Sequence, residues 1–493
     1  MLYSLWSPVT TSGGAKCGVF FPLRRRTERP VDLTEFAETL RLAGFHFSPK
    51  ERPSPTMYAA VITGADHPTG LITARALKDE PIRLIGTYRH AGAPTLRSRV
   101  WHATVPISYD EDLFCRSLVQ IARDQATMPV LFPSDDESVL LASRFRADLQ
   151  PYYRFVYPPH STVELLMDKL ATYAWARQHD FLVIPYRLVA EVQQVEAAVE
   201  EVGLPAIIKP PVRLAAWENA MPDRKALRVD SLDELRLFLP ALGRAQSRLV
   251  VQRWIPGDDA DIHFVLSYHN RVGQMLGNFT GRKLLQWPVG LGSTAACCPE
   301  NNPIARQIAT RFFTDAGFQG LGSVEFKYDR EADSYYLIEP TIGRNNLQSY
   351  IAVAAGVNLT RAAFYDACHG PPGMARQESA PRMSGEAVTA GAAQQLLAAS
   401  EEQSPGREAR ARLRDATDSL SAPCRHVTWV EEQKLARTLL WRLRNDSLRA
   451  AWLAVRRLKR PRIGCYFFPG DRRPGGQLLR DAARRFRAKL LGW

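Results

Sequence analysis

The alternation of apolar and polar positions divides the chain into five stretches: 1–56, 57–158, 159–370, 371–425 and 426–493. Residues 1–56 mix Gly, Pro and Ser with the run Arg24-Arg25-Arg26 around one predicted helix at 32–43, and read as an accessory segment of little order. Strong patterning starts at Met57. An apolar run at 58–62, the polar loop TGADHPTG, a helical stretch at 71–77 and a second apolar run at 82–87 predict a βαβ unit. A third run at 129–132 stops at Ser134-Asp135-Asp136-Glu137 and leads into a helix. Residues 57–158 therefore read as a small doubly wound, Rossmann-like sheet with polar loops at the carboxyl ends of its strands.

From Ser161 the pattern predicts a long helical stretch, then short strands at 205–209 and 248–252 and longer ones at 261–267, 272–278, 323–328 and 335–339. The last two form an antiparallel pair around DREADS. A helix at 359–368 closes this stretch, and Gly370-Pro371-Pro372-Gly373 breaks the pattern. Residues 371–425, rich in Ala, Gly, Glu, Ser and Pro, read as a linker. Beyond it, Leu435, Leu439, Leu443, Leu448, Trp452 and Val455 recur at helical spacing with arginines between them, and a second such segment runs over 478–491. The fold class is thus mixed α/β with a basic, amphipathic helical C-terminal tail.

Charge separates that tail from the body. Residues 426–493 hold 17 Lys plus Arg against 5 Asp plus Glu, which leaves +12 of the +13 carried by all 493 residues. The tail either docks on the body or lies on an anionic membrane surface, with docking the plainer reading. A body near neutrality and a tail without a recognisable module argue against nucleic acid as partner. Seven scattered cysteines without C-x-x-C spacing indicate neither a disulfide framework nor a thiolate zinc site. No apolar run is long enough to span a bilayer and the start lacks a signal-peptide pattern, so the expectation is a cytoplasmic protein, peripheral to the membrane's inner face at most.

Two glutamates, Glu325 in SVEFKYD and Glu339 in YYLIEPT, interrupt apolar strands. A carboxylate in such a place is costly unless it is paired or binds a cation; the alternative is the solvated face of a hairpin. Lys169, Lys209 and the pair Arg282-Lys283 supply the positive charge that polyphosphate and magnesium would require. No G-x-S-x-G, Walker A or H-E-x-x-H motif competes with this reading, and the vicinal Cys297-Cys298 reads as structural.

PAIIKP, LVVQRWIPG, SVEFKYD and YLIEPTIGRNN, in that order and at these separations, resemble the ATP-grasp superfamily, in particular its carboxylate-amine ligase branch, which includes D-aspartate ligase-like proteins. The resemblance covers roughly residues 58–370 and implies an ATP-grasp fold preceded by a Rossmann-like domain. It implies ATP and Mg2+ (or Mn2+) as cofactors, and small-molecule or cell-envelope carboxylates and amines as substrates; it leaves a homodimer open. Lys169 and Lys209 resemble the two nucleotide-binding lysines. Gln252, Trp254 and Ile255 fall on the segment that reads adenine, ordinary core being the other reading of the last two. Asp259, or its neighbour Asp258, falls where the ribose is held. Glu325 and Glu339 resemble the metal-bridging carboxylates, and Arg282 and Arg344 the arginines that stabilise the transferring phosphoryl group.

Three features depart from the pattern. Thr341 stands where many relatives have a metal-ligating Asn, with Asn345 or Asn346 as substitutes; the arginine comes one residue later than usual; and the loop after Lys209 lacks glycines, leaving Lys225 and Arg228 to grip phosphate. The resemblance implies a ligase that activates a carboxylate as an acyl-phosphate and joins it to an amine. The departures keep open a non-catalytic ATP-binding module that couples nucleotide occupancy to a partner or membrane surface.

Overall fold

The computed structural model describes residues 58–210, 215–221, 226–245, 248–369, 427–458 and 462–490. The expected helix at 32–43, the linker at 371–425 and Lys225 lie outside them.

The chain begins with the strands β1 (Tyr58–Ile62), β2 (Ile82–Tyr88), β3 (Ala103–Pro106) and β4 (Val130–Phe132), which form a parallel sheet in the order β3-β2-β1-β4. Their apolar runs are buried on both faces, as parallel strands require. Helix α1 (Pro68–Ala76) follows β1, and α2 (Asp136–Arg144) follows β4. Asp135 caps α2 by accepting from Ser138 N at 2.8 Å, so the polar loop foreseen after β4 is a helix start.

A second sheet has the antiparallel order β5-β8-β6-β7, from β5 (Tyr186–Val189), β6 (Ala206–Lys209), β7 (Leu227–Val229) and β8 (Leu249–Arg253). It has a core of its own, centred on Val199, Ile208, Trp217 and Val251. Helix α3 (Lys169–Gln178) leads towards it.

The third sheet is the largest. β9 (Ile262–His269), β10 (Met275–Trp287), β11 (Ser293–Pro299), β12 (Gly320–Asp329), β13 (Ser334–Ile342), β14 (Thr428–Val430) and β15 (Arg462–Gly464) assemble as β13-β12-β9-β10-β11-β14-β15. One buried cluster runs from Ile62 and Phe132 in the first sheet to Phe264, Leu266 and Trp429 in this one, so the two share a core.

The C-terminal stretch differs from the expected helical tail. Its start is a strand, β14, paired antiparallel with β11 and parallel with β15, and Trp429 is fully buried. Helices α4 (Glu432–Asn445) and α5 (Leu448–Arg456) lie between β14 and β15 along the chain, and α6 (Arg473–Leu490) follows β15. The predicted single apolar face is split where Ser447 caps a new helix. Leu435 and Leu439 consequently pack against the sheet, whereas Leu443, Leu448, Trp452 and Val455 stay exposed. Docking therefore holds for the strands and the first turns of α4, while arginines and apolar side chains share the outer face of α4 and α5. No helix among the described residues is long and apolar enough to cross a membrane.

Candidate active site

Glu325 and Glu339 are direct partners across β12 and β13, and directly opposed residues of a ladder project from the same face. The hairpin thus brings the two carboxylates together, as the sequence predicted. A bulge follows at once: Glu325 pairs with Glu339 but Phe326 pairs with Leu337, so Ile338 is the extra residue.

Lys169 is the first residue of α3, whose start is capped by Asp168. Tyr173, one turn on, donates to Ile338 O at 2.7 Å and fixes the helix against β13. Lys169 Nζ then lies 3.2 Å from Glu339 Oε2. Burial works against the lysine's charge, but Glu339, Tyr173 and Glu325 together outweigh it and the Lys169 pKa is raised. Conversely Lys169, acting against burial and helped by Lys283 and Lys209, holds the Glu339 carboxyl below the usual carboxylate range. Glu339 keeps 55% of its side chain accessible and is therefore an ionised, reachable oxygen donor.

Lys209 ends β6. Ile207 is opposite Gln252 in the ladder, so Lys209 lies diagonally across on the same face, and its Nζ donates to Gln252 Oε1 at 2.9 Å. Burial, with the charge of Lys169 adding and Glu339 opposing, pushes the Lys209 ammonium down to about 7. A polyphosphate favours the charged form, so at pH 8 nucleotide binding is expected to take up close to one proton and to weaken roughly tenfold per unit as pH rises above 7. Calorimetry of ADP in two buffers of different ionisation enthalpy checks this; equal heats at pH 8 would refute it, and Lys209→Arg should abolish the uptake.

Beyond Gln252, Trp254 N donates to Pro205 O at 2.7 Å, Arg228 stacks on the half-buried Trp254 ring at 4.8 Å, and Ile255 is buried. Arg228 therefore faces an aromatic ring and Asp230.

Other expected residues lie elsewhere. The β12-β9-β10 register places Glu325 opposite Phe264, and Phe264 opposite Gly281; Arg282 is opposite His263. Strand alternation puts Arg282 on the other face of the sheet, where its Nε is 3.4 Å from Glu300. Its neighbour Lys283 takes the position facing the carboxylates and donates to Glu325 Oε2 at 2.7 Å. Gly281 makes room for the Phe264 ring, since a Cβ there would meet Phe264 Cζ at 2.5 Å.

Arg344 pairs with Asp136 of α2 at 2.7 Å and so joins the first sheet's loops to the end of β13, rather than touching the glutamates. Asn345 is buried between Thr73 and Thr360, while Asn346 donates to Thr341 at 3.2 Å and stays beside the strand that carries Glu339. Asp259 is turned inward onto Gln286, and Asp258 binds Arg457 at 2.6 Å. Gln348, which sequence reading missed, donates to Glu325 Oε1 at 2.9 Å; its only signal was a position nine residues beyond Glu339.

The assembled group is therefore Lys169, Lys209 and Lys283 around Glu325 and Glu339, with lysines supplied by two sheets and a helix. Cys297 and Cys298 are buried, and among the described residues no group of three or more His, Cys, Asp or Glu side chains is preassembled. Two carboxylates with hard oxygen donors suit magnesium as ligands.

Two open sheets that bring lysines and paired glutamates together, behind a doubly wound domain, match the ATP-grasp arrangement that the sequence resemblance implies. No protein-family model matches the chain. The D-aspartate ligase of Enterococcus faecium (strain Aus0004) is 24% identical over 293 residues, which are 57% of this chain and 69% of that protein. Among solved structures, an ADP complex of N5-carboxyaminoimidazole ribonucleotide synthetase aligns with 66% of this chain and 80% of its own at 13% identity and a TM-score of 0.49. A biotin carboxylase nucleotide complex from Campylobacter jejuni aligns with 64% and 71% at 15% identity and the same TM-score of 0.49.

Proposed function

We propose that the protein is an ATP-dependent ligase that joins a carboxylate to an amine with release of ADP and phosphate. The observation that carries this reading is the convergence of Lys169, Lys209 and Lys283 on the paired Glu325 and Glu339. The relative named a D-aspartate ligase supports the class of reaction. A substrate carboxylate oxygen attacks the γ-phosphorus of ATP, ADP leaves, and an acyl-phosphate forms. The amine nitrogen then attacks the acyl carbon, phosphate leaves, and the nitrogen loses its proton.

In this scheme Glu325 and Glu339 would hold magnesium, which supplies charge neutralisation along the phosphate chain. The chain's own residues do the rest by position and charge. Lys169 sits where it steers anions without releasing Glu339. Lys209 contributes a charge at the end of β6 when the phosphate chain draws a proton onto it. Lys283 takes the role that the sequence assigned to Arg282, from the correct face of β10. Gln252, Trp254 and Ile255 line the path from β8 on which an adenine would lie. Arg344, anchored by Asp136, ties the substrate-facing loops of the first sheet to the strand bearing Glu339.

The test is ADP release by the purified protein with magnesium-ATP against a panel of carboxylates and amines, amino acids first. Release that requires both partners, with a product mass equal to their sum less water, is the expected result. Nucleotide binding without turnover across the panel would instead favour the non-catalytic ATP-binding module.

A further inference from the structure

Asp259 was expected at the ribose, yet its carboxylate is 3% exposed and faces the protein interior. Its Oδ2 accepts from Gln286 N at 3.0 Å and its Oδ1 from Gln286 Nε2 at 2.9 Å. Helix α4 of the C-terminal stretch holds the same two residues from outside. Arg442 stands 3.8 Å from Asp259, and Thr438 Oγ1 donates to Gln286 O at 2.8 Å. On the other side, Lys283 Nζ reaches Gln286 Oε1 at 3.4 Å and Glu325 Oε2 at 2.7 Å. Gln348 completes the group by donating to Glu325 Oε1 while accepting from Thr294 at 3.2 Å.

Every member of this chain of contacts has its orientation dictated by the next. An aspartate only accepts and an ammonium only donates, so the Gln286 amide satisfies both in one orientation alone. Gln348 is fixed in the same way between a carboxylate and a hydroxyl. Asp259, Gln286, Lys283, Glu325, Gln348, Thr294 and Thr438 are all buried, where a hydrogen bond lost at one place leaves its neighbour unpaired rather than hydrated.

We propose that Asp259 is a positioning residue for the metal-phosphate site and not a ribose ligand: with Thr438 and Arg442 of α4 it fixes Gln286, and through Gln286 the Lys283 ammonium against Glu325. This inference rests on the ATP-grasp reading of the site. It makes the C-terminal stretch part of the nucleotide machinery, since the helix that follows β14 sets the geometry of a carboxylate four strands away in β12. Removing the Asp259 charge turns the Gln286 amide free to invert, which would point its NH2 at Lys283 and push the ammonium off Glu325.

The test uses the full chain and calorimetric titration with ADP, once with a chelator and once with saturating magnesium. In Asp259→Asn, ADP affinity without metal should stay within threefold of wild type, while the tightening produced by magnesium falls by tenfold or more. Arg442→Gln should move the magnesium effect in the same direction, and Arg442→Lys should restore it. Loss of metal-free ADP affinity by tenfold in Asp259→Asn would make Asp259 a nucleotide ligand and overturn the proposal. So would an unchanged magnesium effect. If Asp259→Asn fails to fold, the Arg442→Gln and Arg442→Lys pair decides by the same readout. A wild-type chain that binds no ADP with or without metal would overturn the nucleotide reading and this role together, which distinguishes that failure from the others.

Discussion

Lys283→Met is expected to lower the melting temperature by roughly 6–20 °C, the equivalent of about 3–5 kcal/mol in a cooperatively unfolding domain of about 150–250 residues. Its Nζ is bonded to a glutamate in the interior, both side chains being less than 10% exposed. Removing one partner of a buried ion pair leaves the other charge without compensation in a poorly polarisable medium, which costs more than the pair itself contributes. The control follows from the same logic. Lys283→Met combined with Glu325→Leu removes both charges and should recover most of the lost stability. Thermal melting of the two variants beside wild type checks this, and a single variant that melts within 2 °C of wild type would contradict the buried pair.

Glu339→Gln should do the reverse, losing function while keeping the fold. Its partner Lys169 is 40% exposed and Glu339 55%, so the pair contributes no more than about 1 kcal/mol after solvent screening. Under the proposed function the loss is larger, because Glu339 would be a ligand of the magnesium that neutralises the phosphate charge. Magnesium-ATP turnover, measured as kcat/KM for ADP release, is expected to fall by about 10²–10³. The folded Glu339 carboxyl is held below the usual range by Lys169, so the ionised form persists down into acid and its contribution is lost only as pH falls through that depressed value. Turnover by Glu339→Gln at the wild-type rate would remove Glu339 from the site. The contrast between the two variants is the informative outcome, because the two glutamates face each other across one ladder yet differ in burial.

That difference shows where the sequence stops being sufficient. Glu325 and Glu339 could be recognised as a pair, because alternation along two adjacent strands joined by a short turn fixes their relation locally. Lys209 was legible as the end of an apolar strand, whereas Lys169 was read inside one long helical stretch that the structure breaks at Asp168. Arg282 and Lys283 were not separable. They are neighbours on one strand, so one faces the glutamates and the other cannot, and a shift of one residue exchanges them. The choice depends on the register of β10 against β9 and of β9 against β12, with irregularities at 275/277 and 283/285, none of which leaves a trace in the local pattern.

Composition and spacing determined the α/β class, the order of the lysine and glutamate strands, the paired carboxylates and the concentration of charge after residue 426, since each depends on short-range periodicity or on counting. Only the tertiary structure decided that Lys283 rather than Arg282 meets Glu325, that Asp259 faces Gln286, and that Trp429 belongs to the core of the large sheet. Arg442 and Asp259 are 183 residues apart in sequence, and a buried contact over that distance is set by how the sheets and helices stack, not by any pattern either segment carries alone.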